Sequence, residues 1–401
     1  MVQFFYRLYG DKYFTHKMQE VVFVSVNKIE EYLETITIQQ YKSDIGFRTL
    51  VESVNENMYI IPKYQRKYRW SKEQVVGLVE SLLRGFPIPP IYTCRNKDNQ
   101  LEILDGQQRV MSLFFYYIGF FLNKRKESAI DFSNLEIKDC SFAEALQKQF
   151  PLEELRVNLA VAGGKKVNVD YASLPVEIKR RVDYTPITVI EIKIGKEEKR
   201  DEVLQVIFAN LNKNGALLSK QEQRNGIFMC EFYDMLREFN KNNIKWRKIW
   251  GREDARDKDL ETLLRFCALK KYVDCKRVIN KNKVDFEIEG YYESYAEMLD
   301  SFSKEAMGFK KSDIEVYRKS LEKFVDLFEV NTVLKTKVAL MEGFYVIYEK
   351  IGIKKKITKL LLDHVQDANG YKNNSGQRTV NIRKMNGRWN AVYEVWNGTA
   401  E

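Results

Sequence analysis

Histidine and closely spaced cysteine are scarce in this chain. The two histidines, His16 and His364, lie far apart in sequence, and the five cysteines form no CxxC pair. A zinc site needs such ligands at short spacing, and a disulfide framework needs a patterned set of cysteines. We therefore expect no zinc, and nothing in the sequence indicates haem or flavin. The cysteines are expected to be free thiols that pack as small hydrophobes.

Long apolar runs and the common nucleotide-binding fingerprints are also missing. The longest apolar run extends from Val110 to Leu122, whereas a membrane-spanning helix needs about 20 residues. The N-terminal residues lack the pattern of a secretory signal, so we expect a cytoplasmic protein without membrane contact. Neither GxxxxGK(S/T) nor GxGxxG occurs, which excludes a P-loop and a standard Rossmann site.

Apolar and basic residues are plentiful. Hydrophobic residues make up 44% and aromatic residues 13% of the 401 residues, enough for packed cores in two or three domains. Lys and Arg number 66 against 56 Asp and Glu, which gives a formal net charge of +10. A positive charge permits an anionic partner such as DNA, although the charge by itself does not identify one.

The hydrophobic periodicity predicts an α+β fold. Ser71 and Gln74 fit a capping box ahead of a helix, residues 90–104 fit a hairpin, and a strongly apolar helix follows from Gln107 to about Asn123. Helical signals dominate from Asp201 onward. We therefore predict four segments: an N-terminal extension over 1–45, an α/β domain over 46–200, a mainly helical domain over 201–370 and a polar, basic tail over 371–401.

The motif richest in chemistry is Asp105-Gly106-Gln107-Gln108-Arg109, placed where a predicted strand runs into the apolar helix. The first amides of a helix have no partner within the helix, and together with the helix dipole they favour an anion. Gly106 permits close backbone approach, Arg109 offers a forked donor to a phosphate, and Asp105 could hold Mg²⁺ or orient a water. The alternative is an ordinary tight turn, but polar side chains at the start of a buried helix are costly without partners.

Two further motifs indicate a chemical function less strongly. The basic loop, Lys63–Trp70, alternates basic and aromatic residues around Tyr64, Gln65 and Arg66, which suits phosphate and base contacts but equally suits a solvated edge strand. Residues 208–225 read as a helix, an Asn/Gly turn and a second helix capped by Ser219. A plain connection between two helices would explain the latter pattern as well.

Taken together, the three motifs resemble the GmrSD type IV restriction family. Members share an IPxYQRxYxW segment, a G.PIP turn, a DGQQR motif and a later F..LN..G..LS..E.RN segment, and this chain shows each of them in that order over about residues 45 to 230. The resemblance implies a ParB/sulfiredoxin-like fold for the N-terminal domain, similar to the small subunit of these enzymes.

The resemblance also implies a function: binding and hydrolysis of GTP or ATP with Mg²⁺, which regulates a DNA nuclease in phage defence. Carried over residue by residue, the expected catalytic residues are Asp105, Gln108, Arg109 and Arg66, with Asp105 as the Mg²⁺ ligand. The expected nucleotide-binding residues are Gly106, Gln107, Gln65 and Tyr64, and the expected supporting residues are Asn212, Ser219, Glu222 and Arg224.

One departure from the family concerns the nuclease. Fused members end in a His-containing HNH-type nuclease, but here the C-terminal region has the single histidine His364 and nothing that resembles a ββα-metal motif. We therefore expect a separate nuclease or effector subunit, and an oligomer is possible.

Alternative functions stay open at this point. One is a ParB-like nicking nuclease that uses Asp105 and Arg66, and another is a non-catalytic switch that binds a nucleotide or DNA. The basic residues that would contact DNA phosphates are Lys354, Lys355, Lys356, Arg378, Arg383, Lys384 and Arg388. Asp183, Glu191 and Lys193 could form a nuclease metal site, but strict alternation explains Glu191 and Lys193 better as the polar face of a strand.

Overall fold

A computed structural model of the chain describes residues 38–123, 125, 129–132, 135–160, 164–195, 200–213, 219–280, 283–292, 294–329, 334, 337–376 and 380–398. Within them, a sheet-containing N-terminal part precedes a mostly helical C-terminal part, so the predicted α+β division is confirmed. No helix in these residues is both long enough and apolar enough to cross a membrane.

The strands are β1 (Ile38–Gly46), β2 (Tyr59–Ile60), β3 (Ile91–Arg95), β4 (Leu101–Asp105), β5 (Phe120–Leu122), β6 (Leu152–Glu154), β7 (Asn158–Ala160), β8 (Lys166–Asn168), β9 (Pro186–Ile194), β10 (Asp274–Asn280) and β11 (Lys283–Glu289). The helices of the N-terminal part are α1 (Phe47–Asn55), α2 (Lys72–Arg84), α3 (Gln107–Ile118), α4 (Phe142–Gln149), α5 (Val176–Asp183), α6 (Arg200–Lys213) and α7 (Lys220–Ile227). Those that follow are α8 (Glu231–Asn242), α9 (Ile244–Trp250), α10 (Lys258–Tyr272), α11 (Tyr295–Ala306), α12 (Lys311–Val325), α13 (Val338–Val346, continued by a π-helical turn over Ile347–Ile351), α14 (Lys359–Asp367), α15 (Asn369–Lys372) and α16 (Ile382–Asn397).

A mixed five-stranded sheet organises the N-terminal part, in the order β1-β9-β3-β4-β2. β3 and β4 form the predicted antiparallel hairpin, β9 runs parallel to β3, and β1 lies antiparallel along the full length of β9. β1 was not predicted from the sequence, and it crosses the expected boundary at residue 45. Every residue of β1 pairs with β9, so the sheet includes residues from Ile38 onward in the described part of the chain.

Alternate residues of the strands contact two different layers, as the twofold repeat of a strand requires. Ile91 and Ile103 face a large core that contains α3, whereas Cys94 and Leu104 face the opposite side of the sheet. Leu204 of α6 packs on that second side. The expected boundary at residue 200 is therefore not marked by a change of packing, because α6 belongs with the sheet.

Local sequence signals account for several helix ends. The Ser71 hydroxyl accepts the Gln74 amide and the Gln74 side chain accepts the Ser71 amide, so the predicted capping box is present, and Gly85 ends α2 in the left-handed conformation. Helix α3 stops at Ile118 rather than near Asn123, because Gly119 takes a φ of +75° and the next residues form β5.

The helical part has its own core, which extends from Phe232 to Trp396. The C-terminal segment predicted as a polar tail contains α16, whose Trp389 and Trp396 are buried in that core. Arg388 is buried as well and donates to the Asn374 carbonyl at 2.9 Å, so it is not available for DNA phosphates in this structure. The overall composition of the segment is polar, which is typical of a tail. Its few apolar residues recur at helical spacing, and these are the ones that are buried.

Candidate functional site

The turn from β4 into α3 depends on Gly106. This residue has a φ of +98°, a region that residues with a side chain rarely adopt. A Cβ placed there would lie 3.0 Å from Nη2 of Arg109 and 3.2 Å from Cγ1 of Ile91. Gly106 is therefore required both by its backbone conformation and by the close approach of these two side chains.

Arg109 folds back from the first turn of α3 onto the end of β4. Its Nη2 donates to Oδ2 of Asp105 at 2.6 Å and to the carbonyl of Pro90 at 3.0 Å. Its Nε is buried and has no hydrogen-bond partner within the described residues. Asp105 and Arg109 thus form a partly exposed ion pair that leaves part of the guanidinium unused.

The two glutamines of the motif differ in their contacts. Gln108 accepts the backbone amides of Arg69 and Trp70 at 3.0 and 3.2 Å and donates to the Lys67 carbonyl at 3.3 Å. Gln107 is 3% exposed, and neither atom of its amide has a hydrogen-bond partner among the residues that the structure describes. Gln108 therefore attaches the basic loop to α3, whereas the amide of Gln107 is buried at a cost.

Gln65 attaches the same loop to the strand. Its Nε2 donates to the carbonyls of Ile103 and Leu104 at 3.0 and 2.7 Å, directly before Asp105. Tyr64 is buried in the small cluster that contains Leu104. Both residues therefore lie next to the end of β4, as the motif resemblance implied.

Arg66 lies between these attachment points. Burial lowers the pKa of its guanidinium, the positive charge of Arg69 lowers it further, and the carboxylates of Glu222 and Asp105 act in the opposite direction. No hydrogen bond or ion pair joins the Arg66 guanidinium to any residue in the described part of the chain. The structure thus brings Arg66 close to the charges of the DGQQR motif without a hydrogen-bond or ion-pair partner among the described residues.

The third motif reaches the site through Glu222. Ser219 and Glu222 form the predicted capping box of α7, and Oε1 of Glu222 accepts Nη1 of Arg69 at 2.7 Å. Arg224 points elsewhere: its Nε donates to Asp300 at 2.7 Å, within the helical part. Asn212 lies in α6, but its side chain and the turn over 214–218 fall outside the described residues.

The contacts of the basic loop with residues 253–257 were not predicted from the sequence. Nζ of Lys67 lies 2.8 Å from Oε2 of Glu253 and 3.3 Å from Oδ1 of Asp257. Burial raises the pKa of Asp257 to about 6 against the attraction of Lys67, and the carboxylates of Asp259 and Glu222 add to the rise. The alternation of basic residues in the loop was a signal for such contacts, whereas nothing in residues 251–259 resembles a motif.

The carboxylates considered for a separate nuclease metal site have structural partners. Glu191 binds the guanidinium of Arg95 through both oxygens, at 2.8 and 2.7 Å, and Asp183 accepts the Tyr171 hydroxyl at 2.7 Å. Within the described ranges, no group of three or more His, Cys, Asp or Glu is arranged to hold a metal ion. The structural interpretation of Glu191 is therefore confirmed.

Residues 47–229 match the family model described as the GmrSD restriction endonuclease, N-terminal domain. This segment is a GmrSD N-terminal domain. The GmrSD N-terminal domain contains the basic loop, the DGQQR motif and the capped helix α7, so the family resemblance of the three motifs is confirmed.

A curated protein is also similar to this chain. It is the uncharacterized protein MJ0686 of Methanocaldococcus jannaschii, 23% identical over 264 residues that cover 50% of this chain and 45% of that protein. The match thus spans about half of either chain.

Proposed function

We propose that the GmrSD N-terminal domain binds the triphosphate of GTP or ATP at Asp105–Arg109, hydrolyses it with Mg²⁺, and serves as the regulatory component of a restriction system with a separate nuclease or effector. One observation carries the proposal: the Arg66 guanidinium, which has no hydrogen bond or ion pair among the described residues, lies close enough to Asp105 and Arg109 for their charges to affect its pKa. Within the DGQQR motif, Nε of Arg109 and the side-chain amide of Gln107 are buried without a hydrogen-bond partner among those residues.

Nε of Arg109 and the amide of Gln107 are costly to bury without a hydrogen-bond partner. A buried polar group without a hydrogen bond costs about 1–3 kcal/mol, and most buried polar groups in proteins are paired. A phosphate would accept from Arg66 and Arg109 and from the free amides at the N-terminus of α3. An anionic ligand at this position would therefore supply hydrogen bonds that these side chains do not receive from the described residues.

Asp105 suits a role beside such a ligand. Mg²⁺ bound to a nucleotide uses one or two carboxylates together with phosphate oxygens and water, and Asp105 is a single, partly exposed carboxylate next to the proposed phosphate position. Arg109 contacts Oδ2 of that carboxylate. The amide of Gln108 is engaged by the basic loop, so in this proposal Gln108 acts by positioning the loop that carries Arg66.

The test is Mg²⁺-dependent release of phosphate from GTP and ATP by the full chain. Arg66→Ala should lower kcat by about 100-fold, because a donor to developing transition-state charge typically contributes that much. The fold should survive, since the Arg66 guanidinium has no partner among the described residues. Arg84→Ala is the matched control, because Arg84 is exposed and pairs with Glu80, one turn away on the same helix.

Other outcomes separate the alternatives. Tight nucleotide binding without turnover, weakened by Arg66→Ala, would favour a nucleotide switch over an enzyme. Plasmid nicking by the chain alone, lost on Asp105→Ala, would favour the ParB-like nuclease. No nucleotide binding at all would contradict the proposal.

A further inference from the structure

Successive residues of the basic loop contact different parts of the molecule. Gln65 donates to the end of β4, Lys67 reaches the segment between α9 and α10, and Arg69 reaches α7. Arg66 lies between these contacts and has a lowered pKa caused first by burial. The position of Arg66 is therefore set by its neighbours along the chain.

The contact of Lys67 is largely buried. Besides its ion pairs with Glu253 and Asp257, Nζ donates to the Asp254 carbonyl at 3.2 Å. Burial by itself would lower the pKa of Lys67, but the surrounding carboxylates, led by Asp257, raise it overall. Lys67 therefore remains charged, and removal of its ammonium would leave buried carboxylates without a counter-charge.

The contact of Arg69 ends on a fully buried carboxylate. The side chain of Glu222 is 1% exposed, and its second oxygen accepts the Ser219 amide at 2.6 Å. The same carboxylate therefore begins α7 and binds the basic loop. A displacement of α7 would break this pair or carry the loop with it.

The backbone of the loop is fixed from the other side by α3. Gln108 bonds the carbonyl of Lys67 and the amides of Arg69 and Trp70, the same stretch whose side chains contact Glu222 and Glu253. The side chains of the loop are thus bound by α7 and residues 253–257, and its backbone by the helix that begins the proposed phosphate site.

We propose that Lys67 and Arg69 are positioning residues, through which Glu253, Asp257 and Glu222 place Arg66 at the phosphate, so that nucleotide binding is coupled to the contacts of the loop with α7 and with residues 253–257. This inference rests on the proposed nucleotide site. By reciprocity, a nucleotide that fixes Arg66 strengthens the contact of Lys67 with residues 253–257 and that of Arg69 with α7.

Hydrogen–deuterium exchange of the full chain tests this coupling, with non-hydrolysable analogues of GTP and ATP as probes. In the native protein the bound analogue should slow exchange at α7 and at residues 252–259, which lie outside the phosphate site. Lys67→Ala should abolish this remote protection and lower kcat about tenfold or more, as expected for a misplaced catalytic group. Lys67→Arg should restore most of both effects, because it keeps the charge.

Lys245→Ala is the matched control, since Lys245 forms a comparable but exposed ion pair with Asp326 away from the loop. It should leave both readouts unchanged. If Lys67→Ala hydrolyses nucleotide at the native rate and keeps the remote protection, the positioning role is wrong while the proposed function stands. If the native protein shows neither binding nor turnover, the proposed function itself fails.

Discussion

At the scale of single residues, the candidate site combines side chains that are fixed by the protein with others that are not. Gln65 and Gln108 use their amides to bind backbone groups, whereas the amide of Gln107 and the guanidinium of Arg66 have no partner among the described residues. Gly106 makes this arrangement possible, because it lets α3 begin directly against Ile91. A residue with a side chain would separate β3 from the turn.

Gly106→Ala should destabilise the protein by about 1–3 kcal/mol, because alanine is strained at positive φ and its Cβ would crowd Arg109 and Ile91. Gly77→Ala provides the control, since Gly77 lies inside α2 with nothing within 4 Å of the added Cβ. That change should stabilise the protein by about 0.5–1 kcal/mol. Urea unfolding followed by circular dichroism measures the unfolding free energy of both variants. If the two substitutions change it equally and in the same direction, the special requirement for glycine at position 106 is contradicted.

At the scale of elements, the decisive helix of the C-terminal part is α16. It packs against α13 where Gly343 leaves room for Trp389 and Val392; a Cβ at Gly343 would lie 2.9 Å from Cγ2 of Val392 and 3.2 Å from Cδ1 of Trp389. The helix also begins with an Asn381 side chain that accepts the Arg383 amide. A segment with a polar composition therefore supplies an essential side of the helical core.

Trp389→Ala should lower the free energy of unfolding by about 3–5 kcal/mol, the usual cost of truncating a buried aromatic residue. Leu360→Ala, on the exposed face of α14, should change it by less than about 0.5 kcal/mol. Thermal unfolding followed by circular dichroism compares the two variants. A native-like melting temperature for Trp389→Ala would show that α16 is not part of the stable core.

At the scale of the whole molecule, ion pairs join the region of the large N-terminal core to segments that lie near the helical core. The N-terminal core ends at Val189 and the helical core begins at Phe232, while the contacts of Lys67 and Arg69 with the segments that follow are ionic. Asp257 lies among these contacts, next to Lys67, Asp259, Glu222 and Glu253. A cluster of buried charges responds to pH in a way that an apolar core does not.

The unfolding free energy of the Asp257→Asn variant should increase relative to that of the native protein as pH rises. The pKa of Asp257 is raised from its ordinary 3.8 to about 6, so its contribution to stability is fully present below pH 3.8 and is lost as pH rises through 6. The difference in unfolding free energy between native and variant protein should shift by about 3 kcal/mol in favour of the variant between pH 3.5 and 7. Urea titrations at several pH values measure this shift, and a constant difference would contradict it.

The sequence by itself determined the local features: the capping boxes at Ser71 and Ser219, the glycine turn before α3, the β3–β4 hairpin and the order of the family motifs. These depend on near neighbours in the chain, so spacing and residue type suffice to predict them. The tertiary structure was needed to show that β1 joins the sheet, that α16 belongs to the core, that Arg224 points away from the site, and that Lys67 and Arg69 bind residues 253–257 and α7. Those pairings join residues up to 190 positions apart, and burial in a common interior, rather than local propensity, selects them.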